Sequence, residues 1–325
     1  MKIFDEQIAR KPDLYPWTKD FIEAIWAGHW TPRKFKFKSD LHDFKTILTP
    51  EEQEIIIRTL TAIGQIEIAV KKFWSRLGDN LPHPSITDMG LVMSSIEVTH
   101  GLAYEKLLVV LGLEERFEEN LKNPVIEGRV KYLRKYLDKQ YKDNKKQYIY
   151  SLILFTLFVE NVSLFSQFYI ILWFGRYRNV LKDTNNQVNY TKNEELIHGE
   201  MGVKLINTIR KEYPELFDQQ LEDKVIQESE EALKAESKII DWILGNFKDQ
   251  RINSDILKSF VKYRIGTSLK SIGFSDENFK IIESDYRDLE WFIEEVIGEV
   301  KTDFFHADDV NYSKDSRVIS GEELF

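Results

Sequence analysis

The pattern Glu-x-x-His occurs twice in this chain, as Glu97 with His100 and as Glu195 with His198, each time in a stretch that reads as helix. Residues three apart share a helical face, so each pair presents a carboxylate and an imidazole side by side, and Tyr104 extends the first stripe by one turn. Two further glutamates stand alone on apolar stripes: Glu67 among Leu60, Ile63, Val70 and Trp74, and Glu160 ahead of Leu164, Phe168 and Ile171. Uncompensated, ionised carboxylates in a dry core cost on the order of several kcal/mol each, together more than a typical domain's margin of stability. Two divalent cations would balance four such carboxylates, and neutral imidazoles complete the coordination without disturbing that balance. One Glu-x-x-His pair arises easily by chance on a solvated face. Two pairs with two lone glutamates on separate stripes point to a dinuclear metal site held by Glu67, Glu97, His100, Glu160, Glu195 and His198. An all-nitrogen-and-oxygen donor set accepts iron and manganese alike.

The bland reading of Glu67 is a surface ion pair with Lys71 one turn later, and its apolar stripe argues against that. By the same spacing Lys71 is expected beside the site, hydrogen-bonded to a ligand carboxylate. His29, His42, His83 and His306 lie off these stripes and read as surface or structural histidines.

The elements that must position these residues read as helical nearly throughout. Thr49, Pro50 and Glu52 form a capping box that opens a helix running to about Leu77. Gly78, Pro82 and Pro84 punctuate a loop, and a second helix runs from about Thr87 to Gly112 with Met93, Glu97, His100, Tyr104 and Leu107 in line. Two shorter polar helices are expected within 113–144, an apolar helix over 151–175, a fourth core helix from about Asn189 to Pro214, and two or three amphipathic helices over 218–300. The fourth aligns Thr191, Glu195, His198 and Leu205. No strand alternation of convincing length interrupts them, so the fold class is all-α. Residues 151–175 are long and apolar enough to cross a bilayer, but Glu160, Asn161, Ser163, Ser166 and Gln167 at the centre favour a helix buried in protein.

Composition narrows the function. The 325 residues include no cysteine, which removes disulfides, thiolate metal sites and thiol nucleophiles and suits a reducing compartment. A net charge of -9 and no basic stripe argue against nucleic-acid binding. The N-terminus has no apolar run with a small-residue cleavage site, so a cytoplasmic protein is expected. Residues 1–305 read as one helical domain, and 306–325 as a flexible tail whose end, Glu322-Glu323-Leu324-Phe325, suits docking on a partner.

Across almost the whole chain these residues resemble the small, radical-generating subunit of class I ribonucleotide reductase. Glu97 with His100, Tyr104, Glu160 and "NEELIH" at 193–198 match in order and spacing, and "HWTP" puts Trp30 at the family's electron-transfer tryptophan. The resemblance implies a ferritin-like helical bundle with the dinuclear site in its four-helix core, a homodimer, and a large (alpha) subunit on which the tail docks. It implies a metal cofactor that generates and stores the oxidising equivalent sent to that subunit for reduction of ribonucleotides to deoxyribonucleotides. Glu194 would link His100 to Trp30, Trp30 would carry the equivalent away, Tyr312 would hand it on, and Tyr104 marks the usual site of the tyrosyl radical.

The sequence departs from the family's commonest pattern at the first ligand, where Glu67 replaces the usual Asp. Members with Glu there include those pairing manganese with iron, but they replace the radical tyrosine by phenylalanine, and Tyr104 is retained. A manganese-dependent subclass is therefore favoured, Mn/Mn over Fe/Fe or Mn/Fe, with the oxidised metal pair storing the equivalent and Tyr104 dispensable. Lys71 would then help admit or position an anionic oxidant such as superoxide, and a flavoprotein activator joins the implied partners. The alternative is a ferritin-like oxidase acting directly on a small organic substrate, which would share the six ligands but have no use for Trp30 or a docking tail.

Overall fold

The computed structural model describes residues 1–137 and 144–298, with side chains described except at 67–69, 132–137 and 295–298. One compact unit runs from Met1 to Asp288, and a second begins at Leu289. In chain order the helices are α1 (Thr18–Ala27), α2 (Lys38–His42), α3 (Pro50–Ser75), α4 (Leu77–Asn80), α5 (Pro84–Leu111), α6 (Glu114–Leu121) and α7 (Pro124–Leu137). They continue as α8 (Lys145–Leu154), α9 (Phe165–Trp173), α10 (Lys182–Glu212), α11 (Gln219–Leu244), α12 (Ser254–Ser271) and α13 (Glu283–Glu290). Among the described residues no strand forms; Asp249 and Ile252 make an isolated bridge.

Local chemistry explains the helix ends. At α3 the Thr49 hydroxyl accepts from the Glu52 backbone N–H and the Glu52 carboxylate accepts from the Thr49 N–H, with Pro50 in the first turn, where its missing N–H costs nothing. α5 ends at Gly112, whose φ of 70° is the left-handed conformation that closes a helix cheaply only with glycine. Its start lies one turn earlier than the sequence suggests. Pro84 occupies the first helical turn, and the buried His83 caps it by accepting from the Ser85 N–H through Nδ1 at 3.3 Å. α10 likewise begins well before Asn189. The polar residues that suggested a connection are gathered by buried Asp40, which accepts from the backbone of Asp183 at 3.0 Å and of Thr184 at 2.6 Å, and from the Thr184 hydroxyl at 2.7 Å.

The apolar stretch differs most from expectation. It is not one α-helix: α8 passes into π-helical turns over Phe155–Ser163, and α9 resumes after Leu164. A π turn misaligns carbonyls that an α-helix would satisfy internally, and side chains, most of them from other elements, take them up. Arg264 on α12 donates Nε to the Asn161 carbonyl at 2.7 Å, Arg129 on α7 donates to the Ser163 carbonyl, and the Asn161 side-chain amide donates to the Thr156 carbonyl at 2.8 Å. Of the most apolar window in Lys145–Arg178, 94% lies inside the protein, so this run is the bundle's core.

α3 lies along α5, and α10 packs against the π segment and α9. The last contact depends on two glycines. A Cβ on Gly199 would lie 2.4 Å from Asn161 Oδ1, and one on Gly202 would lie 2.4 Å from Thr156 Oγ1. Glycine there lets α10 bring Glu195 and His198 up against the segment that carries Glu160.

Candidate metal centre

Three elements each turn a described carboxylate into the core: α5 carries Glu97, the π segment Glu160 and α10 Glu195. α3 carries Glu67, whose side chain lies outside the described residues. Glu97, Glu160, Glu195 and His198 are all buried, and each offers a ligand atom within 4.8 Å of the others'. His198 Nδ1 stands 2.8 Å from Glu97 Oε1, 3.4 Å from Glu195 Oε2 and 3.6 Å from Glu160 Oε2. From the other side His100 directs Nδ1 at Glu195 Oε1, 3.1 Å away, and at Glu97 Oε2, 3.3 Å away. Both imidazoles thus present the same ring nitrogen to one group of carboxylates.

The donors fit a metal. Among the described residues both oxygens of Glu97, both of Glu195, Glu160 Oε2 and both ring nitrogens of His198 are buried without a hydrogen-bond partner. Native interiors rarely leave so many polar atoms unsatisfied in one place, and cations are what such a convergence of lone pairs accommodates. The protons respond to the crowding. Burial and the neighbouring Glu195 carboxylate push Glu160 well above the usual carboxylate range. Burial also pushes Glu195 up, but the facing His100 and His198 rings outweigh it and hold that carboxyl well below its ordinary value. Burial pulls the His198 imidazole down, and Glu97, Glu160 and Glu195 outweigh it, holding His198 well above its ordinary value.

A chain of contacts leads outward from His100. Glu194 Oε2 lies 2.7 Å from His100 Nε2 and accepts a hydrogen bond from Trp30 Nε1 at 2.9 Å, all three side chains being buried. A carboxylate at Nε2 keeps the proton on that nitrogen, which leaves the Nδ1 lone pair facing the cluster. The Trp30 and His100 rings are near-parallel at 27°, with centroids 6.4 Å apart. On its other side Trp30 meets Phe35 and Tyr190 at 5.6 and 5.7 Å, and the Tyr190 hydroxyl accepts from Lys34.

The remaining expected residues vary in position. Tyr104 is buried and donates to Thr191 Oγ1 at 3.4 Å. Lys71 is half-buried, and its ammonium lies 3.8 Å from where a Cβ on Gly101 would stand, beside His100; among the described residues it makes no hydrogen bond to a cluster carboxylate. Leu164 and Phe168 are buried. Tyr312 and the tail lie outside the described residues. Sequence reasoning gave no role to Trp74, whose indole Nε1 donates to Glu160 Oε1 at 2.8 Å, nor to Tyr190. Trp74 sits on an apolar stripe like any packing aromatic, and nothing local signals that its N–H meets a carboxylate.

A bundle whose core elements turn carboxylates and Glu-x-x-His pairs inward to one buried cluster is the ferritin-like architecture of dinuclear carboxylate proteins. The sequence matches the family "Ribonucleotide reductase, small chain" over residues 8–280, and the chain belongs to that family. It is 21% identical to the ribonucleoside-diphosphate reductase subunit beta of Halalkalibacterium halodurans, the match covering 95% of this chain and 90% of that protein. The ribonucleotide reductase R2 subunit from Clostridium botulinum superposes with a TM-score of 0.77 at 15% identity, covering 86% of this chain and 88% of that one. An R2-like ligand-binding oxidase with a reconstituted Mn/Fe cofactor superposes with a TM-score of 0.70 at 18% identity, covering 82% and 96%. At these identities the structural likenesses speak to the fold alone.

Proposed function

We propose that Glu67, Glu97, His100, Glu160, Glu195 and His198 hold two metal ions, and that this site serves a ribonucleoside-diphosphate reductase of which the chain is the small subunit. The observation that carries the reading is the buried link from His100 through Glu194 to Trp30, in which one carboxylate oxygen faces both rings. A metal-storage bundle or an oxidase acting on a substrate at the metals has no use for such an exit. Two redox-active ions bound here would store an oxidising equivalent, which the large subunit uses to reduce ribonucleotides to deoxyribonucleotides.

The chain's own residues do the rest. Glu194 orients His100 and ties Trp30 to it, so that a change of charge at the cluster is felt at the indole. Buried Leu164 and Phe168 help keep water from the site. Tyr312, on the tail, hands the equivalent to the large subunit. Manganese in both positions is the favoured pair, from Glu67 occurring together with Tyr104; on this reading Tyr104→Phe retains turnover. Half-buried Lys71 beside Gly101 is suited to guide an anionic oxidant such as superoxide, delivered by a flavoprotein activator. A homodimer is supported by α5, which exposes Leu91, Val98, Leu102 and Val109 along one heptad-spaced stripe, a face a second copy of the chain would cover. A chain without cysteines suits the cytoplasm.

The test is metal analysis with electron paramagnetic resonance on protein matured with both manganese and iron, alongside Glu195→Ala. About two ions per chain in the wild type, lost in the variant, is the expected result. A coupled manganese signal supports storage on the metals, and a tyrosyl signal would move it to Tyr104. No stoichiometric metal in either protein would sink the mechanism. The full chain should bind the large subunit, and deleting residues 313–325 should abolish that binding; a full chain that does not bind would favour the direct-oxidase alternative.

A further inference from the structure

Glu160 differs from the other described carboxylates of the cluster in what its oxygens meet. Both oxygens of Glu97 and of Glu195 lack a donor among the described residues, whereas Glu160 is in that condition at Oε2 only. Its Oε1 accepts the indole N–H of Trp74 at 2.8 Å, with both side chains wholly buried. An indole N–H can only donate, and a buried one that loses its acceptor bears the full cost of desolvation, so the bond resists opening.

The indole is also fixed in place. Gly90 brings α5 against the end of α3, where a Cβ would lie 2.6 Å from the Trp74 carbonyl oxygen. The ring stands edge-on to Phe155 at 5.2 Å, to Phe73 at 5.3 Å and to His198 at 6.3 Å, while Phe73 and Phe155 stack on each other at 3.8 Å. Side chains packed this densely do not follow a neighbour's movement without strain. For Glu160 to chelate an ion through both oxygens, Oε1 would have to reach the ion with its second lone pair while the fixed indole holds the first, or give up the indole altogether.

We propose that Trp74 is a positioning residue that restricts Glu160 to coordination through Oε2 alone, leaving at that ion a coordination position for water or a small anion. This rests on the metal reading above. A carboxylate that chelates fills two positions at one ion, and one whose other oxygen is held by a neighbouring donor fills one, so the indole N–H sets how open the site is.

The experiment is a pair of manganese-loaded crystal structures, wild type and Trp74→Phe, with manganese counted per chain and azide affinity read from the change in the paramagnetic resonance spectrum. Two ions are expected in both proteins. In the wild type Glu160 should bind through Oε2 with the Trp74 bond intact; in Trp74→Phe it should swing Oε1 onto the ion, shift the spectrum of the pair and weaken azide binding by about tenfold or more. Chelation by Glu160 in the wild type overturns the proposal by itself, so the test stands even if the variant does not fold. Unchanged Glu160 coordination and azide affinity in a folded Trp74→Phe overturns it too. Both of these outcomes leave the metal site standing, whereas a wild type that takes up no stoichiometric manganese removes the metal reading and this proposal together.

Discussion

Glu194 accepts from Trp30 and faces His100 with the same oxygen, so its removal both cuts the link and frees the His100 ring to turn. Glu194→Ala should therefore lower turnover with the large subunit by about 10–100-fold, the usual size of the loss when the partner that orients a ligand histidine is removed, while Trp30→Phe should lower turnover with metal content unchanged. Steady-state assays paired with metal counts separate the two. His83 offers a prediction about acid. Its ring is buried, edge-on to Tyr15 at 4.9 Å, and burial lowers its pKa, with Asp13 opposing more weakly. Below the ordinary histidine value the unfolded chain therefore binds a proton that the folded chain refuses, and stability falls as pH drops through that value toward the lowered folded one. His83→Phe should remove this component: the stability difference between variant and wild type, measured by denaturant titration, should shift in the variant's favour as pH falls from about 7 to 5. A difference flat in pH would refute it.

At the scale of elements the π segment is the part most dependent on its neighbours. Arg129 on α7 is wholly buried and donates to the Ala62 carbonyl of α3, the Ser163 carbonyl, Gln167 of α9 and Glu236 of α11, so one guanidinium ties these elements to the end of the segment that carries Glu160. Burial pulls the Arg129 guanidinium down and pushes the Glu236 carboxyl up, which means that the pair does not fully recover its desolvation. A pair of this kind adds little net stability yet is costly to break. Arg129→Met should destabilise by about 3–5 kcal/mol, because it strands a buried carboxylate and removes the donor to two carbonyls, and adding Glu236→Leu should recover a large part of the loss. Denaturation of the single and double variants measures the difference; a double variant as unstable as the single would show that the carbonyl bonds dominate.

For the whole molecule, the exposed stripe on α5 has a solution consequence. Leu91, Val98, Leu102 and Val109 are each about half exposed or more, at 52%, 45%, 52% and 54%. A charge there would be desolvated in a dimer and solvated in a monomer, so Leu102→Glu should shift sedimentation toward the monomer without altering the helical circular dichroism. A variant that sediments like the wild type would move the dimer contact elsewhere. Metal occupancy should also stabilise the whole bundle, since ions that bind the folded state alone at about 100 times their dissociation constant add about 2.7 kcal/mol.

Much of this was legible in the sequence because it is local. Three-residue spacing puts Glu97 beside His100 and Glu195 beside His198 on any α-helix, the Thr49 box needs four residues, and Gly112 closes its own helix. The all-α class follows from the same short-range periodicity, and the burial of the 151–175 stretch from the polar residues at its centre. Contacts between distant parts of the chain were another matter. Trp74 meets Glu160 across 86 residues of chain, and Arg129 reaches Ser163 and Glu236 across 34 and 107. The π turns, the early start of α10 on Asp40 and the orientation of each carboxylate oxygen depend on such partners. Sequence periodicity determined which residues face the core; tertiary packing decided which atom of each meets which, because a hydrogen bond has a direction and hydrophobic periodicity has none.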